Sequence, residues 1–425
     1  MSVCAASVAA ASSSWVSVYP RVRDAAEKAC VQPAADECRR DLLRLMELLD
    51  GRIDVVYRLA RTEAARGRRA AGLALLERYA RSALDFGDPA ADSAFAPLRG
   101  SPRFEALEQR YRAGLQPVGA HQALALLPAP DLIAEDLAID PRDGTRYVGT
   151  VHDGTVLEQD AGGDWRVVLK AADLSAWGIY ALALDAPRDR LWVASVAGAV
   201  SPPYVPADAG RALILRLSLD SRALQRRYEL HDRQPHAFGD MALGERGDLY
   251  VSDGVGGGVY RIGPEDEAAL EILLPPGRMR SPQTPVPLPG GTRLLVPDYS
   301  RGIALLDLRR PGAISWLRHP PELALYGIDG MYLQGRTLIA IQNGTNPERL
   351  LLMHLDTTLT RVTGWEVALA RADGLGDPTH GIVRAGRFEF IANSGWDRVA
   401  DDGGIAGGAG ATHPAIWSIA LPAGH

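Results

Sequence analysis

Five side chains with hard oxygen donors, Glu135, Asp136, Asp240, Gln283 and Asp329, stand at the openings of similar short phrases in this sequence. Gathered in one place, such groups repel one another unless protons or a cation compensate. Ca²⁺ accepts carboxylate and amide oxygens in loose geometry and suits such a group, with another divalent cation as the open alternative. A metal held there would polarise a carbonyl and stabilise the oxyanion formed on attack. Asp329 thus counts as both ligand and catalytic group. His380 opens a further phrase, and a neutral imidazole near pH 7 activates water or takes a substrate proton. The bland alternative is that the carboxylates cap strands and that His380 only hydrogen-bonds across a channel.

The elements that must gather these residues recur along the chain. Each phrase opens with Glu135-Asp136, Tyr180, Asp240, Gln283, Asp329 or His380, runs through an apolar stretch and a tight turn, and ends a second stretch on Thr150, Ser195, Asp253, Asp298, Asn343 or Asn393. Successive ends lie 45, 58, 45, 45 and 50 residues apart. A period of that size with one β-sheet per unit is the mark of a β-propeller. Six phrases predict six blades over 121–425, with the opening residues on one rim of a central channel. The turns DPRDG, DAPRD, GERGD, LPGG, QGRT and RAGR each suit a hairpin joining two inner strands. The last blade lacks a fourth strand of its own, and QALALLP at 122–128 is placed to supply it, leaving no open sheet edge. Insertions near 196–211 and 394–412 should rise on the same end as the opening residues, as walls, a lid or plain decoration. Trp177, Tyr180, His236, Tyr299 and Trp396 are candidates to line a pocket there, with packing as the alternative; His236 and His152 are also secondary candidates for the base.

Residues 21–113 read as helices. Apolar side chains recur at helical spacing in Asp36–Leu49, Ile53–Arg66 and Arg69–Phe86, broken at Gly67. Ser101 is placed to cap a helix beginning at Pro102. YRLARTEAARGRRAAGLALLERYA resembles one tetratricopeptide-type hairpin, which implies a brace for the propeller or a surface for a protein partner. Residues 114–120 form the linker. Residues 1–20 read as a disordered tail or a signal remnant. Cys30 and Cys38 either pair, in an oxidising compartment, or stay as two buried thiols. Periplasmic, secreted and cytoplasmic locations therefore stay open.

The net charge is −6, and no clustered basic surface for nucleic acid is evident. No run of 18 apolar residues predicts a membrane span. Lys28 and Lys170 are the only lysines, which argues against a Schiff-base enzyme. HExxH, CxxC, G-x-S-x-G and P-loop patterns are absent. The glycine-rich DGVGGGVY at 253–260 lies between strands and reads as a turn.

EDLAIDPRDGTRYVGT, FGDMALGERGDLYVSD, QTPVPLPGGTRLLVPD and IDGMYLQGRTLIAIQNG resemble blades of the gluconolactonase, paraoxonase and strictosidine-synthase-like superfamily. The resemblance spans 121–425 and implies a catalytic Ca²⁺ held by Glu135, Asp240 or its neighbour Gly239, Gln283 and Asp329. Two positions depart from the pattern: Gly239-Asp240 stands for an Asn-Asp pair, and Gln283 for an Asn. The paraoxonase-type histidine at the entry of blade two is replaced by Trp177-Gly178-Ile179, so its role does not carry over. The expected function is a Ca²⁺-dependent hydrolase of a lactone or ester acting on a small molecule. The alternatives are a non-catalytic propeller that binds a ligand or partner, and a biosynthetic enzyme of the strictosidine-synthase-like type.

Overall fold

The computed structural model describes residues 14–160, 162–201, 203–265, 270–406 and 412–422. The start of the expected tail and parts of both expected insertions lie outside the described residues.

Five α-helices come first: α1 (Trp15–Ala29), α2 (Asp36–Leu48), α3 (Ile53–Ala65), α4 (Arg69–Arg81) and α5 (Pro102–Gly114). Helical structure thus begins at Trp15, ahead of the expected boundary at residue 21. Ser14 caps α1 by accepting from the Val16 N–H. Gly67, at φ +71°, makes the break between α3 and α4 in a conformation that costs other residues steric strain. Ser101 accepts from the Phe104 N–H with Pro102 in the first turn, the expected cap. Leu42, Leu45, Leu59, Leu73, Leu76, Phe95 and Phe104 are buried, whereas Leu43 is partly exposed. Cys30 and Cys38 form a disulfide that ties α1 to the start of α2.

From Gln122 onward the chain forms six four-stranded antiparallel sheets. Five use consecutive strands. In the sixth, Gln122–Leu126 is the outermost strand and pairs with Ala415–Ala420, so the two ends of the domain close the ring as expected. Fully buried aliphatic residues fill the space between neighbouring blades: Val156, Ile179 and Leu213 in one such layer, Leu295, Ile328 and Leu351 in another.

Register irregularities decide what faces the rim. Ala134 pairs with Thr150 and Asp136 with Gly149, which leaves Glu135 as an extra residue. Tyr180 and Gly239 are extra in the same way in blades two and three. In blade five the slip falls between Ile328 and Met331, around Asp329. A bulge re-aims a side chain that strict alternation would send into the sheet face.

The helical domain docks against blades four and five. Ala324 and Tyr326 of the propeller join the core of α3, α4 and α5. Arg349 is fully buried, donating from Nε to Gln342 Oε1 at 2.7 Å and from Nη1 to the Ser82 carbonyl at 2.7 Å. Arg52 stacks its guanidinium on Tyr326 at 4.3 Å. No helix among the described residues is long and apolar enough to cross a membrane.

Candidate metal centre

Glu135, Asp240, Asp329 and His380 are brought together from four blades. One ligand atom from each of Asp240, Asp329 and His380 lies within 4.8 Å of the others. All four residues are buried. His380 Nδ1 lies 2.9 Å from the Glu135 carbonyl oxygen, which can only accept, so this nitrogen carries a proton. Nε2 lies 2.7 Å from Asp240 Oδ1. Thr284 Oγ1 donates toward Asp240 Oδ1 at 2.6 Å and the Asp329 carbonyl at 3.0 Å. Asn343 Nδ2 donates to Asp329 Oδ2 at 2.8 Å. The Trp396 indole N–H donates to Glu135 Oε2. Each of the three carboxylates therefore has one oxygen engaged. The second oxygen of each takes no hydrogen bond among the described residues.

The electrostatics follow from burial and like charge. Burial, then the neighbouring Asp329, pushes Glu135 up to about 8. Burial raises Asp329 to about 6; His380 pulls the other way and Asp240 adds to the rise. Burial also raises Asp136, despite backbone donors at Leu137 and Leu182. Burial works against a charged His380, but the charge and hydrogen bond of Asp240 prevail and hold the ring well above its usual range. The cluster thus places four carboxyls against one imidazolium.

That donor set fits a divalent cation. Glu135, Asp240 and Asp329 each offer an unengaged hard oxygen, and the local negative charge is under-compensated. Gly239 occupies the bulge position of blade three, and a Cβ built there would meet nothing within 4 Å. The position therefore has open room for a side chain. His380 is not a ligand, because both ring nitrogens are engaged.

Several sequence expectations change. Of the two readings for His380, a base or a histidine that hydrogen-bonds across the channel, its contacts with the Glu135 carbonyl and Asp240 Oδ1 match the second. Gln283 turns its amide nitrogen to Ser281, at 2.9 Å from Oγ, and its side chain makes no hydrogen bond with the carboxylates among the described residues. Trp177 is buried between blades and donates to Asp208 Oδ2 at 3.1 Å, anchoring the first insertion. His236 is held between Asp253 at 2.6 Å and Asp232 at 2.9 Å, apart from the cluster. Tyr299 stands one step away: its hydroxyl donates to Asn343 Oδ1 at 2.9 Å. Tyr180 and Trp396 do lie over Glu135, with ring centroids 6.1 Å apart. Asp136 spends its oxygens on the backbone N–H groups of Leu137 and Leu182, the second in the next blade, and is a structural staple. Thr284 was missed. Its only signal was its place beside Gln283. Asn343 was visible only as a strand end.

The two insertions meet above the cluster. Gly403 packs so closely on Ala199 that a Cβ there would lie 2.4 Å from its carbonyl oxygen. Val200, Trp396, Val399 and Ile405 share an apolar patch with Ile133 and Val151, and His152 Nδ1 meets the Val200 carbonyl at 2.7 Å. These segments form a cap over Glu135. On the opposite side of the polar layer the channel widens to about 390 Å³, bounded by Asp240, His380, Leu137, Met241, Met331 and Tyr332. That chamber opens toward the hairpin turns, away from Glu135 and Asp329. Asp240, Thr284 and His380 are thus shared between the polar layer and the chamber, whereas Glu135 and Asp329 do not line it.

No protein-family profile and no curated sequence matches the chain. Solved structures do. Regucalcin, a calcium-binding protein of Agrobacterium tumefaciens, is 16% identical over 72% of this chain and 96% of its own, with a TM-score of 0.50. An oxidoreductase (glucose dehydrogenase) of Thermus thermophilus is 18% identical over 71% of this chain and 99% of its own, with a TM-score of 0.50. A gluconolactonase of Xanthomonas campestris is 15% identical over 72% and 99%, with a TM-score of 0.44. The chain shares its six-bladed propeller fold with the first two of these proteins. The resemblance read from the blades holds at that level, and identity this low leaves the chemistry to the side chains.

Proposed function

We propose that the protein is a Ca²⁺-dependent hydrolase of a lactone or ester. The observation that carries this reading is the gathering of Asp240, Asp329 and His380, with ligand atoms within 4.8 Å of one another, beside the buried carboxyl of Glu135. Glu135, Asp240 and Asp329 would hold the ion. Bound there, Ca²⁺ polarises a carbonyl oxygen and eases deprotonation of water.

The remaining work falls to the chain itself. Asp329, raised only to about 6, is mostly ionised at neutral pH and accepts a proton from attacking water. Asn343, itself held by Tyr299, fixes Asp329 Oδ2 and leaves the other oxygen to act. His380 sets the orientation of Asp240, and Thr284 braces both carboxylate strands. Tyr180 and Trp396 exclude water from the cluster. A substrate reaches this side only when the cap made by the two insertions moves aside.

Elemental analysis, with a lactone and aryl-ester panel run with and without chelator, tests the reading. Bound metal and chelator-sensitive turnover support it; no metal and no turnover refute it. The second reading is a non-catalytic binding propeller. It is favoured by the closed cap and by a His380 that is unavailable as a base. Metal binding without turnover on any ester or lactone would select it.

A further inference from the structure

A second cavity, of about 410 Å³, lies between the helical domain and the propeller. It shares no residue with the carboxylate cluster. Asp50, Arg78, Trp316, Arg318, His319 and Pro321 line it. Arg78 reaches across the domain boundary, donating from Nε to the Pro321 carbonyl and from Nη2 to the Gly51 carbonyl. Its Nη1 takes no partner among the described residues. Arg318 is exposed, and among the described residues its guanidinium makes only a 3.4 Å contact, with Thr360 Oγ1. Arg301 lies alongside, its guanidinium 4.3 Å from the Trp316 ring and its buried Nε without a partner.

Asp50 and Glu322 stand near Arg78, and Asp50 and Asp298 near Arg301. Two of these acids are already committed: Asp50 meets His319 Nε2 at 3.2 Å, and Asp298 accepts the backbone N–H groups of Arg280 and Ser300. Burial still lowers both Arg78 and Arg301 below the usual arginine range. Guanidinium forks with open donors match the oxygens of phosphate and carboxylate. The volume falls in the range of small-molecule sites, about 300–1,000 Å³.

We propose that this interdomain cleft binds a small multivalent anion, one presenting two or more negatively charged oxygens, between Arg78 of the helical domain and Arg318 of the propeller. Such a ligand touches both domains and strengthens their docking. A phosphate ester and a polycarboxylate share this chemistry.

The test uses the full chain, freed of metal on a chelating resin so that chelation at the carboxylate cluster does not intrude. Pyrophosphate and citrate are titrated calorimetrically, with chloride at matched ionic strength as reference. Saturable one-to-one binding of at least one of them is expected; pyrophosphate alone points to a phosphate ester and citrate alone to a polycarboxylate. Arg318→Gln removes one donor from an exposed position and should weaken binding about tenfold, the scale of one charge-assisted hydrogen bond. Arg78→Lys keeps the charge but loses the fork and should also weaken it. Binding no stronger than the chloride reference, or equal binding in Arg318→Gln, overturns the proposal. Both results are independent of whether the protein hydrolyses anything.

Discussion

Glu135→Gln should make the metal-free protein more stable at pH 8 and abolish its response to Ca²⁺. In the fold Glu135 is raised to about 8 from an ordinary 4.5. Between those values the native state holds a proton that the unfolded chain has released, so stability falls as pH rises through this window. The gap is about 3.5 pH units, and at about 1.4 kcal/mol per unit the full penalty approaches 5 kcal/mol, reached above pH 8. It is an upper figure, because water entering the mouth or a shift of the cap relieves part of it. Glutamine keeps the shape and can still accept the Trp396 indole N–H, but it cannot ionise. Urea melts of both proteins from pH 5 to 8.5, in chelator, should coincide at the acid end and diverge by about 2–5 kcal/mol at the alkaline end. Added Ca²⁺ should remove the alkaline loss in the parent protein and leave Glu135→Gln unchanged. A parent curve that is flat above pH 5, or a variant that is uniformly less stable at every pH, would refute the electrostatic reasoning.

Three further outcomes are expected. Gly239→Asn has room for its side chain and adds an oxygen donor, so Ca²⁺ affinity measured by calorimetry should rise about tenfold, the worth of one added ligand interaction; unchanged affinity would place the ion elsewhere. The Trp396 indole contacts Glu135, so a Ca²⁺ titration should change intrinsic fluorescence in the parent chain, and the change should vanish in Trp396→Phe. Arg349→Met leaves the Ser82 carbonyl and the Gln342 amide oxygen without their buried donor, which should cost about 3 kcal/mol in chemical denaturation. The same change should expose the helical domain to limited proteolysis.

The ring, its six blades and its closing strand were legible because they rest on local signals. Apolar alternation, hairpin turns and a repeat near 45 residues are written in neighbouring residues. So were the cap at Ser101 and the break at Gly67. Glu135, Asp240 and Asp329 were also found, since residues at matching places in a circular repeat must share one rim. Less was legible about what each would do there. His380 could be read as a base or as a histidine hydrogen-bonding across the channel, and only its contacts with Glu135 and Asp240, 245 and 140 residues away, match the second. Trp177 and His236 looked like lining because aromatic and imidazole side chains serve packing and binding equally well.

By itself, then, the sequence determined the architecture and which carboxylates share a rim, because both follow from short-range pattern and periodicity. The tertiary structure decided charge and access. Protonation depends on burial and on neighbours that the chain brings from other blades. The cap depends on two insertions nearly 200 residues apart meeting at Gly403 and Ala199. Whether Cys30 and Cys38 pair was likewise a matter of geometry in space, which spacing along the chain left undecided.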